Sequence, residues 1–152
     1  MLEKHQIVPR LLSEFPGFRA RRDECETNLG RDLEIYRDIL LFVRFLTDDL
    51  YEKQNNKQVL AAFEKMEEFL REGNSEVRAL VTFGFFETLR IVAGWKPYGS
   101  DAFLHFLYPE SRRVWTKLDA AWNLDLDDCG VLEREIVIWR LARQSLGYLN
   151  AA

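Results

Sequence analysis

Apolar residues along this chain recur mostly at three- and four-residue steps, the period of an α-helix. The pattern is densest between Gly73 and Gly94. There Val77, Leu80, Val81, Gly84, Phe85, Thr88, Leu89 and Val92 form a stripe, and Phe83 and Phe86 lie off it. Apolar surface therefore wraps most of the way round, as on a helix covered by neighbours on several sides. Gly73 is placed to end the preceding helix in a left-handed conformation, with Asn74 or Ser75 capping the next one. The spacing predicts a central helix here.

The flanking segments repeat the period. Over 31–52, Leu33, Tyr36, Leu40 and Val43 make one row, and Ile35, Ile39, Phe42 and Leu46 a second, so this helix should also lie deep. Over 58–72, Val59, Phe63, Met66 and Leu70 are supported by Leu60, Ala62 and Phe69. With the 75–92 helix they form a hairpin through a very short turn. The hairpin resembles one unit of a HEAT-type repeat, without a second copy at a fixed period. Upstream, Leu2, Ile7, Val8, Leu11 and Leu12 surround Pro9, which starts or kinks a short helix, and Phe15-Pro16-Gly17-Phe18 reads as a turn with two aromatic anchors. Downstream, Gly94–Ser100 is a loop that carries Trp95 and Tyr98. Ser100 or Asp101 then caps a short helix, AFLHFLY, and Pro109 opens another that holds Val114, Leu118 and Ala121. The EIVIW run has strand propensity, but length and charge spacing favour a last helix over 131–149. The expectation is an all-α, single-domain multi-helix bundle over 1–152, with the HEAT-like hairpin at its centre.

Length and composition agree with one packed unit. A chain of 152 residues, 47% hydrophobic and 13% aromatic, should bury about 68–70% of its unfolded surface without metal or disulfide support. No apolar run approaches the ~20 residues of a membrane span, and MLEKHQIVPRLLSEF lacks the features of a secretory signal. Cys25 and Cys129 read as free thiols of a reducing cytoplasm. A net charge of −4 disfavours nucleic acid and suits a basic protein partner.

Candidate chemistry is sparse. Neither His5 nor His105 has a ligand partner at metal spacing, HExxH and GxSxG are absent, and so are both glycine-rich phosphate loops. Neither catalysis nor a metal or other cofactor is expected. Asp125, Asp127 and Asp128 resemble a fragment of a calcium loop, but helix capping explains them better. Arg19, Arg21 and Arg22 are followed by Asp23, Glu24 and Glu26, a pattern of local ion pairs. Glu87 interrupts an apolar helix and needs a partner, such as Arg90 or an arginine on a neighbouring helix. Asp48, Asp49 and Glu52 collect where a helix dipole prefers cations. They form either a solvated helix end or an acidic patch that faces a partner. Trp95 and Tyr98 are either plugs for the core edge or contact residues.

The order of elements over 58–118, with FLREGNSEVRALVTFGFFETL followed by FLHFLYPESRRVWTKL, resembles a family of small all-helical bacterial proteins. The shared pattern is Glu72, Gly73, Asn74, Ser75, Glu76 and Val77, then Phe85-Phe86-Glu87-Thr88-Leu89. The upstream Glu14–Phe18 is similar to that family's beginning. Such proteins are similar to the immunity proteins encoded beside polymorphic toxins. The resemblance implies a cytoplasmic, non-enzymatic inhibitor that occludes a basic cognate toxin. The candidate contacts are Asp48, Asp49, Glu52, Trp95, Tyr98, Asp101, Asp125, Asp127 and Asp128. A helical scaffold for another protein, or a small hydrolase or transferase whose carboxylates converge only in space, remains as an alternative.

Overall fold

The computed structural model describes residues 1–25 and 31–122, and every regular element within them is helical. A 3-10 turn, Lys4–Gln6, leads into α1 (Ile7–Glu14), with Pro9 in its first turn, and α2 (Phe18–Asp23) follows the Phe15–Phe18 corner. Helix α3 (Arg31–Arg44) continues directly into a π-helical stretch, Phe45–Tyr51. Helix α4 (Asn56–Glu72) is capped by Asn55, whose side chain accepts from the Gln58 amide. Then α5 (Ser75–Ala79), a second π-helical stretch (Leu80–Glu87) and α6 (Thr88–Gly94) run on as one continuous helix. A 3-10 turn (Ser100–Phe106) and α7 (Pro109–Trp122) complete the described chain. The helix anticipated at 131–149, Cys129 and the Asp125, Asp127 and Asp128 run lie outside the described residues.

The predicted central helix is where the pattern put it. Val77, Leu80, Val81, Phe85, Leu89 and Val92 are all buried, Gly84 and Thr88 with them. Phe86 is buried too, although it lies off the 3.6-residue stripe, and its ring meets Phe85 edge-on at 4.9 Å. The reason is cover on a second side, since Phe86 also meets Phe63 of α4 (6.2 Å) and Trp115 of α7 (6.5 Å). At its middle, Gly84 lets α3 approach: an added Cβ would sit 3.3 Å from the Tyr36 ring and 3.4 Å from Ile39.

Gly73 works differently from the expectation. Its backbone is extended (φ −79°, ψ 152°), not left-handed. The glycine is required by space: a Cβ there would lie 2.5 Å from the Phe69 carbonyl oxygen and against Val77. The extended backbone also forms an isolated parallel bridge with Leu2. The Leu2 amide donates to the Glu72 carbonyl (2.9 Å) and the Asn74 amide to the Leu2 carbonyl (3.0 Å). The N-terminus is thus tied to the central turn, and Leu2 is buried.

The core is a run of phenylalanines. Phe42 packs against Phe15 (5.3 Å between ring centroids), Phe18 (5.2 Å) and Phe85 (6.1 Å). Phe63 joins Phe85 (5.9 Å) to Phe103 (6.1 Å) and Phe106 (5.6 Å). Fully burying each such ring contributes about 1.5–3 kcal/mol. Leu60, expected to support this face of α4, is instead 42% exposed. It falls between Asn56 and Glu64, both exposed, at four-residue steps, so it belongs to the outer stripe of α4.

Candidate interaction site

Three of the predicted contact residues meet at one corner of the bundle, and a second part of the chain comes to meet them. Asp48 and Asp49 lie in the first π stretch, and Glu52 follows its end, where the Glu52 amide donates to the Thr47 carbonyl (2.9 Å) and the Asn55 amide to that of Leu50 (2.8 Å). These five-residue steps are the π pattern. Asp48 is reached by Arg44 (3.1 Å), Lys96 (2.9 Å) and Arg21 (3.6 Å). Arg21 forks onto both oxygens of Asp49 at 3.0 and 3.1 Å. Glu52 takes Lys96 at 2.9 Å and the Tyr98 hydroxyl at 3.1 Å. Three acids and three cations thus form one network. The acidic patch exists, but it is neutralised from within: Arg21 and Lys96 arrive from 28 and 48 residues away.

The network shows in the titration of its members. Burial opposes ionisation of Asp48, but the Lys96 hydrogen bond and the charges of Arg44, Lys96 and Arg21 outweigh it and hold its carboxyl below the usual range. Burial likewise opposes the charge on Lys96, and Asp48 and Glu52 outweigh it and raise its pKa. The Tyr98 phenol is pushed up, first by burial and then by the neighbouring Glu52 carboxylate, so it stays a hydrogen-bond donor.

The aromatic loop divides between its two readings. Tyr98 is half-buried and packs on Tyr51 (4.8 Å) and Phe103 (6.1 Å), so it closes the core edge. Trp95 is 54% exposed and free to touch a partner. Asp101 is exposed in the first turn of the following 3-10 segment. Neither Ser100 nor Asp101 caps that segment; Gly99 does, at φ 69°, a left-handed value that favours glycine.

An open groove of about 550 Å³ runs beside Tyr98. Tyr51, Tyr98 and Phe106 supply aromatic wall, Glu52 a carboxylate, and Gln54 and Asn56 side-chain amides, with Pro97 and His105 completing it. His105 is exposed and lies over Phe106, 4.0 Å between ring centroids. Gln54 holds φ 61°, a left-handed backbone uncommon outside glycine.

Sequence reasoning missed two charged groups. Arg22 was expected to pair locally; it meets Asp38 at 3.2 Å, and Asp38, only 4% exposed, also takes Arg37 at 3.1 Å. Glu67 is 6% exposed and caps α7 from α4, accepting the Glu110 amide (2.8 Å), the Ser111 amide (2.8 Å) and the Ser111 hydroxyl (2.6 Å). A signal existed, since Glu67 stands four residues after Phe63 and three before Leu70, on the buried row. Glu87, singled out in the sequence, is half-buried, and Arg90 on the same helix pairs with Asp119 and lies over Trp115.

Among the described residues no group of three or more His, Cys, Asp or Glu could hold a metal ion, and no helix is long and apolar enough to cross a membrane. The protein is thus an all-helical bundle with an ion-paired corner, an exposed tryptophan and an aromatic groove beside Tyr98. Over residues 8–123 it matches the model of a family described as a domain of unknown function, DUF7674, and it belongs to that family. No curated protein and no solved structure matches it.

Proposed function

We propose that this chain is an immunity protein: a cytoplasmic inhibitor that binds a basic bacterial toxin domain and occludes it, without turnover. The observation that supports this is the ion-paired corner of Asp48, Asp49, Glu52 and Tyr98, with the exposed Trp95 next in sequence to its Lys96. A surface held by ion pairs loses little entropy on association, and an exposed tryptophan on the loop that carries Lys96 is of the residue type enriched in interface anchors. The net charge of −4 would speed encounter with a basic partner. The test is co-expression with the product of the adjacent upstream reading frame. Rescue of growth together with co-purification is the expected result. Toxicity that persists beside a folded, abundant inhibitor would refute the reading, and co-purification without rescue would favour a scaffold role.

A further inference from the structure

We draw no further inference here: the strongest candidate, the exposed Trp95 on the loop between α6 and the Ser100–Phe106 turn, belongs to the site already described, and nothing in the structure shows what covers it.

Discussion

Glu67 couples two helices through one carboxylate, and its removal should be felt at once. It satisfies two of the free amides at the start of α7 and the Ser111 hydroxyl, while its negative charge faces the positive end of that helix. Glu67→Gln keeps the shape but turns one acceptor into a donor facing amides. We expect a loss of about 1.5–3 kcal/mol in urea unfolding at neutral pH. The pH dependence has a definite sign. Burial opposes ionisation, but the Ser111 hydroxyl and the two amides outweigh it, so the folded-state pKa lies below the ordinary 4.5. The contribution is therefore complete above that value and disappears as the pH falls through the lower, folded-state value. The variant should lose less stability than the wild type over that acid interval. Tyr98 gives the opposite case. Its phenol is raised by burial and by Glu52, so its contribution is complete below the ordinary value of 10.0 and is lost as the pH climbs beyond it. Alkaline unfolding should begin earlier in the wild type than in Tyr98→Phe, relative to each protein's stability at neutral pH, as followed by circular dichroism.

At the scale of elements, the turn between α4 and α5 is the tightest constraint. Gly73→Ala must push aside the Phe69 carbonyl or Val77 and disturb the bridge to Leu2; a cost of about 1–3 kcal/mol is expected from thermal unfolding. Gly94→Ala is the matched control. Nothing lies within 4 Å of its would-be Cβ, so it should be neutral or stabilise by up to about 1 kcal/mol. Both glycines were legible in the sequence as helix boundaries, yet only the coordinates separate the one needed for space from the one that merely ends a helix. The helices were legible because burial of a stripe imposes a period, and Val59, Phe63, Met66 and Leu70 are all buried as that period requires. The π stretches were not legible, since one looser turn in a run rich in apolar residues leaves no distinct pattern. The ion-paired corner was half legible. Asp48, Asp49 and Glu52 stood out as a cluster, but Arg21 and Lys96 reach them across long sequence separations that no local rule reports.

For the whole molecule, the phenylalanine spine and the outer corner divide the labour. Phe42, Phe85 and Phe63 carry packing from the N-terminal helices to the 3-10 turn beneath the groove, so the surface rests on a close-packed support. Asp48 links that support to the loop. Asp48→Asn would remove the carboxylate that Arg44, Lys96 and Arg21 share and leave three cations against the two acids Asp49 and Glu52, at a cost of about 1–3 kcal/mol given the partial exposure of the site. Loop 95–98 should then exchange its amide hydrogens faster, while α4 stays protected. On the proposed function, interaction should be most sensitive at Trp95, whose exposed ring contributes little to folding. The decisive measurement for the proposed inhibition is calorimetric titration of the purified product of the adjacent upstream reading frame, the candidate toxin, with wild type and with Trp95→Ala. The account predicts equal thermal stability of the two proteins and an affinity at least about 30-fold weaker for the variant, the loss expected of an interface anchor near 2 kcal/mol. Unchanged affinity of a folded Trp95→Ala variant would contradict it.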